Sequence, residues 1–338
     1  MSGPATPVRV IYAKRTSVGA WDVVAKTANI DEADALGLAE RLLLGAPPHD
    51  AEIVEEAASL AWPDGGRVIL RFSPYAWRDP QGRRVFMSDI VWLSDTDFER
   101  VRGNPFAILP RCDDVFETLT ELPPVQLPAH TASDDASRLG ALAPVSDAES
   151  LIAAAIRFDR VLVIDDAQRV AKAELFTLLL PPAVRPLFTF QTRAFRVPDV
   201  VPRVTMAETF FPSLHEGPWE AVLPDIAHDI PVPLARSLVA LAAQPDVLRA
   251  AHELRAASAL PLDNLRTEVT RVVQLAGVAG QFRRDPAAAL QESARRGTTD
   301  GVAVLRALAA SAPAEAVSTA ALALAGNSAD HVHATRLV

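Results

Sequence analysis

Asp165-Asp166 directly follow the apolar run Val161–Ile164 (VLVI). Acids at the end of such a strand are what a nucleotide-handling protein uses to hold Mg²⁺. The loop that normally accompanies them, Gly-x-x-x-x-Gly-Lys-Ser/Thr, does not occur in the chain. The same two aspartates also read as a strand end that starts the following helix at its positive terminus. In open α/β sheets ligands lie outside the carboxyl ends of the strands, where Asp165 falls. Arg193 and Arg196, either side of Phe195, are cations that could hold a phosphate or an acidic partner, although nothing in their spacing demands it.

Other reactive residue types do not gather. The seven histidines include no His-Glu-x-x-His; His331 and His333, two apart, could chelate a metal or could belong to a solvated tail. No Gly-x-Ser-x-Gly elbow is present. The one cysteine, Cys112, is followed by Asp113 and Asp114, which raise a thiol pKa and so oppose nucleophile chemistry. A lone cysteine also excludes an intrachain disulfide framework and multi-cysteine metal sites. No cofactor is implied. Arg83-Arg84, Arg283-Arg284 and Arg295-Arg296 sit at a turn or at helix ends, where solvation or dipole matching accounts for them. Tyr75 and Trp77, in SPYAWRDPQG, form an aromatic pair beside a loop. With Asp79 and Arg83 they are the candidate partner-contact stretch, against the plainer reading of a loop packing its own aromatics.

Charge and hydropathy narrow the setting. Lys and Arg number 33 against 42 Asp and Glu, a formal charge of -9, and such a surface repels phosphate backbones, so no nucleic-acid partner is expected. The most apolar stretches, Val161–Ile164, Leu175–Leu180 and 320–325, fall well short of the ~20 residues that span a bilayer. Met1–Pro7 does not read as a secretory signal, so the expectation is a cytoplasmic chain with no membrane span.

The elements that must position these residues follow from periodicity and turn chemistry. VRVIY (8–12) and WDVVA (21–25) read as a β-hairpin around Gly19. Asp31 caps a helix from Glu32 to about Leu44, with Gly45 as its stop. RVILRFS (67–73) and VFMSDIVWL (85–93) read as strands joined by Asp79-Pro80-Gln81-Gly82, with Phe86, Ile90 and Trp92 on one face. Ser94 and Asp97 form a capping box for a helix ending at Gly103. Asp147 caps a helix over 148–158, VLVI is a strand buried on both faces, 172–180 is helical, and LFTFQTR (187–193) is a further strand. Beyond Pro231 alanine and leucine dominate at helical spacing, with Leu248, Ala251 and Leu254 sharing a face. The fold class is α+β in the N-terminal and middle regions, with short hairpins and mixed sheets, followed by an all-α C-terminal region. The expected divisions are an α+β domain over 1–121, a proline-rich linker over 122–140, a small α/β domain over 141–230 and a helical bundle over 231–338.

The N-terminal half resembles the bacterial type-one GTPase-associated proteins, which are encoded beside small GTPases in conflict and signalling systems. The stretches that carry the resemblance are VRVIYAKRTSVGAWDVVAKTANID, GGRVILRFSPY and DPQGRRVFMSDIVWLSDTDFERVRGNPFAILPR, with Asp79, Gly82, Arg83, Phe86, Pro105 and Phe106 at the family's positions. LFTLLLPPAVRPLFTFQTR adds Leu180, Pro181, Arg185, Phe190 and Thr192 from its middle region. Where the family often has a histidine after the strand aromatic, this chain has Met87-Ser88-Asp89. The resemblance implies a non-enzymatic adaptor or regulatory protein that binds a small GTPase encoded nearby, or another protein of such a system. The alternative is a nucleotide- or phosphate-binding protein, even an enzyme, using Asp165, Asp166 and Arg193. A third reading makes the helices after Pro231 the docking surface of an interaction module.

Overall fold

The computed structural model describes residues 6–17, 19–42, 55–82, 84–108, 114–142, 144–145, 147–164, 168–209, 211–223, 232–258, 260–286, 288–290, 306–310 and 317–318. In chain order the elements are β1 (Val8–Lys14), β2 (Trp21–Thr27), α1 (Glu32–Arg41), β3 (Glu56–Ala61), β4 (Arg67–Arg78), β5 (Arg84–Leu93), α2 (Asp95–Arg100), β6 (Thr120–Leu122), α3 (Ala132–Leu142), α4 (Ala148–Arg157), β7 (Val161–Ile164), α5 (Arg169–Leu179), β8 (Phe190–Gln191), β9 (Val204–Ala207), β10 (Ala221–Leu223), α6 (Val232–Ala240), α7 (Pro245–Ala257) and α8 (Leu265–Arg284). The chain divides into two compact units. The first takes residues 1–131, 145–177 and 185–231, and the second 132–144, 178–184 and 232–338.

The first unit is built on one ten-stranded sheet in the order β10-β7-β9-β8-β3-β4-β5-β1-β2-β6. Strands β10, β7, β9 and β8 run parallel; β3, β4, β5, β1 and β2 pair antiparallel in turn, with β1 returning beside β5; β6 adds a parallel edge beside β2. The join is the antiparallel pairing of β8 with β3, Ala58 opposite Gln191 and Ser59 opposite Phe190.

Alternation along the antiparallel strands loads both faces with apolar side chains. Val10, Leu70, Ile90, Trp92 and Phe86 face one way and pack on Ala35, Leu38 and Ala39 of α1. Ile69, Val91 and Leu93 face the other way, onto Phe98 of α2 and Val101. Local signals end the elements. The Asp31 side chain accepts the Asp34 N–H at 2.7 Å, and Ser94 Oγ accepts the Asp97 N–H at 3.1 Å while donating to Asp97 Oδ2 at 2.8 Å. The β3–β4 turn depends on Gly66, whose φ of +82° is left-handed and whose added Cβ would lie 2.4 Å from the Leu93 carbonyl oxygen.

Residues 145–177 and 185–231 fall in the same compact unit as residues 1–131, and the bonding of β8 to β3 makes one sheet of strands from both regions. Helix α3 begins within the expected linker and runs past its end to Leu142, and Asp147 precedes α4 in a left-handed conformation with no side-chain cap. The expected strand over 187–193 shortens to the two residues of β8.

In the second unit α7 packs on α8 and α3, and α6 packs on α8. Leu248, Ala251 and Leu254 of α7 are buried, as are Val269, Val272 and Leu275 of α8. The Asn264 side chain starts α8 by accepting the Thr267 N–H at 3.0 Å. Much of the expected bundle beyond residue 290 lies outside the described residues. Among the described residues, no helix is long and apolar enough to cross a membrane.

Candidate functional site

The parallel strands β7 and β9 end level, Ile164 beside Ala207, and β8 stops two residues earlier, Gln191 beside Thr205, so Thr192 and Arg193 carry the chain on to that level. Charged residues stand just beyond each strand end. Asp165 and Asp166 come after β7 but lie outside the described residues; α5 then opens with Arg169. Thr192 and Arg193 come after β8, and Glu208 after β9. The antiparallel partner of β8 contributes its first residue, Glu56 of β3, at the same level.

These residues form one cluster. Arg169 Nη2 donates to Glu56 Oε1 at 2.5 Å and to Glu208 Oε1 at 3.2 Å. The Thr192 hydroxyl donates to Glu56 Oε2 at 2.6 Å and accepts the Ala57 N–H at 2.8 Å. Arg193 Nη2 lies 2.7 Å from Glu208 Oε1, and its Nη1 lies 4.0 Å from Glu56 Oε1. The Arg193 guanidinium stands 4.9 Å over the centre of the Phe195 ring, a cation–π contact. The Arg193 side chain is only 1% exposed, yet among the described residues none of its three nitrogens makes a hydrogen bond of good geometry. Glu208, at 31%, is the member of the cluster that reaches solvent.

Burial sets the electrostatics. It raises the pKa of the Glu56 carboxyl, against the pull of Arg169, Thr192 and Arg193. It lowers that of Arg193, against the carboxylates of Glu208 and Glu56, and neighbouring Arg169 lowers it further. For Arg169 burial pulls the same way, but its bonds to Glu56 and its pairing with Glu208 outweigh it, and the pKa is raised. Arg193 is therefore the less compensated of two buried cations. Two planar guanidinium forks meeting at one oxygen are suited to carboxylate or phosphate oxygens.

No protein-family model, curated protein or solved structure matches the chain. The functional reading thus rests on this geometry and on the resemblance of the N-terminal sequence.

The other sequence-derived candidates are placed differently. Tyr75 is buried, and its hydroxyl accepts the Phe116 N–H at 2.7 Å. Trp77 packs on the cluster that includes Tyr75, Val85 and Met87. Asp79 is buried; it accepts the Gln81 N–H at 3.0 Å and lies 3.5 Å from Lys14 Nζ. Tyr75 and Asp79 are thus turn and core residues and not an exposed contact spot: the hairpin folds its aromatic side chains back onto the sheet. Arg83, Cys112, His331 and His333 lie outside the described residues. Of the alternative ligand residues, the described structure places Arg193 in the cluster. Glu56, Arg169 and Glu208 are not among the residues that the sequence motifs single out. A signal for two of them exists in the sequence, since Glu208 directly follows VTMA and Arg169 closely follows VLVI.

Proposed function

We propose that the chain binds a small phosphate-bearing ligand at the carboxyl ends of β7, β8 and β9. Arg193 carries this reading: a buried guanidinium with unused donors, just past the carboxyl end of an interior parallel strand, where α/β folds take ligands. A buried donor left unmatched costs about 1–3 kcal/mol, so such a group persists where it serves a purpose. Arg169 supplies the second cation, and Glu56, held at both oxygens by Arg169 and Thr192, fixes that arginine's orientation. The test is calorimetric titration of the full chain with inorganic phosphate and with nucleotides, beside the Arg193→Gln variant. Binding by the parent chain that is lost in Arg193→Gln is the expected result. No binding up to tens of millimolar, or binding indifferent to Arg193→Gln, overturns the reading.

A second reading, an adaptor for a protein partner such as a small GTPase encoded nearby, is supported by the sequence resemblance and by Trp21. This indole, at the first residue of β2, is 38% exposed and held by a tilted contact 4.2 Å from the Phe86 ring and by stacking 6.0 Å from Tyr12. A large aromatic already held in position is a good interface anchor. Calorimetry against the neighbouring GTPase in its GDP and GTP-analogue forms decides: binding weakened by Trp21→Ala supports the adaptor, and no binding in either nucleotide state sinks it.

A further inference from the structure

Resting on the phosphate-site reading, we infer that Glu208 is a built-in occupant of that site, and that a phosphoryl group enters by displacing its carboxylate. Glu208 bridges the two arginines through a single oxygen, Oε1, at 2.7 Å from Arg193 Nη2 and 3.2 Å from Arg169 Nη2. That is the position an anion's oxygen takes between two guanidinium groups.

The two carboxylates of the cluster are held in different ways. Glu56 is 2% exposed and tied at both oxygens, Oε1 to Arg169 and Oε2 to Thr192, on a strand paired on both sides. Glu208 is 31% exposed and reaches the arginines through Oε1 alone. It stands one residue beyond Ala207, the last paired position of β9, so its side chain can turn outward with no sheet hydrogen bond broken.

Charge balance explains why an occupant is needed. Among the described residues Glu208 is the carboxylate nearest Arg193, at 2.7 Å, while Glu56 Oε1 is 4.0 Å away. With Glu208 turned out, the 1% exposed Arg193 guanidinium keeps only that more distant partner, a costly state that an entering anion relieves. A phosphoryl group has three oxygens to share, so it can meet Arg169 and Arg193 separately and use donors of Arg193 that a single carboxylate oxygen leaves unmatched. Glu208 thus competes with the ligand and sets its affinity.

The experiment titrates inorganic phosphate into the full chain and into Glu208→Gln, Glu208→Asp and the double variant Glu208→Gln/Arg193→Gln, following heat and thermal unfolding. Glu208→Gln is expected to bind phosphate about tenfold more tightly than the parent chain. Its unfolding temperature should fall without phosphate and recover with it, and the double variant should lose the gain. Glu208→Asp, whose carboxylate stops one methylene short, should tighten binding in the same direction and serves if Glu208→Gln folds poorly. If the parent chain binds through Arg193 but the Glu208 variants bind equally or more weakly, the displacement idea falls and the phosphate site stands. If the parent chain does not bind phosphate, both fall.

Discussion

Two buried glutamates, each beneath a pair of arginines, have opposite surroundings in the two units. In the second unit Glu268 of α8 is 0% exposed. Arg255 of α7 donates to it twice, Nε to Oε2 at 2.7 Å and Nη2 to Oε1 at 3.0 Å. Arg271 Nη1 adds a bond at 2.7 Å and the Asp263 N–H another at 3.0 Å. The remaining donors of Arg255 reach the carbonyls of Leu260 and Pro261 at 3.1 and 3.3 Å. Burial pushes the Glu268 pKa up, but the bonds from Arg255, Asp263 and Arg271 outweigh it, and the net direction is down. In the first unit burial prevails at Glu56 and raises its pKa, and Arg193 close by has donors to spare. A network whose members are all matched holds helices together. A network with a surplus of buried donors and one carboxylate at the surface is suited to exchange that carboxylate for another anion.

The largest effect should come from breaking the closed network. Glu268→Ala removes the carboxylate between α7 and α8 and strands Arg255, at a cost of about 3–5 kcal/mol. Glu56→Gln keeps an acceptor for Thr192 and removes a charge that burial already disfavours, so it should cost less, about 1–2 kcal/mol. Urea unfolding monitored by circular dichroism measures both. An equal cost at the two sites, or a larger one at Glu56, would break the contrast.

The pH dependence sharpens the same contrast. Glu268 has a folded pKa below its ordinary 4.5, so its stabilisation is present above about pH 4.5 and is lost as pH falls through the folded value. Glu56 has a folded pKa above 4.5, so its contribution is full below about pH 4.5 and is lost as pH rises through the folded value. Measured from acid to neutral pH, the cost of Glu268→Gln should therefore grow while that of Glu56→Gln shrinks. Parallel profiles would show that the two carboxylates are held alike.

The sequence made legible those parts of this molecule that neighbouring residues determine. Alternation in VRVIY and VFMSDIVWL, the turn at Asp79-Pro80-Gln81-Gly82, the Ser94 cap and the apolar VLVI all mark elements that the structure contains. Glu56–Ala61 escapes such a reading because EAASLA is rich in small residues and lacks the β-branched side chains that mark a strand. β8, β9 and β10, at two to four residues, are too short to show a period. The α3 helix is hidden by the prolines before it. The candidate site is half visible for a related reason. Arg193 stands after its own strand, but the acids facing it come from Glu56 and Glu208, and only the β8–β3 and β8–β9 pairings bring them together. A contact closed across more than 130 residues, such as that of Thr192 with Glu56, leaves no local pattern to read.

The smallest expected effect separates the two networks most finely, because it leaves every charge in place. Lysine keeps the positive charge of arginine but loses the planar fork and most of its donors. At Arg255 that fork is used in full, on both oxygens of Glu268 and on two backbone carbonyls, so Arg255→Lys should cost about 2–3 kcal/mol as several buried acceptors lose their bonds. At Arg193 no hydrogen bond of good geometry is lost, the ion pair with Glu208 survives in form, and an ammonium can still stand over Phe195. Arg193→Lys should therefore cost less than about 1 kcal/mol in the same unfolding assay. A fork that makes no hydrogen bond of good geometry among the described residues adds little to the fold, and what it can offer is recognition of an anion from outside. A cost at Arg193 equal to that at Arg255 would mean that its donors are already spoken for, and the first unit's cluster would be as structural as the second's.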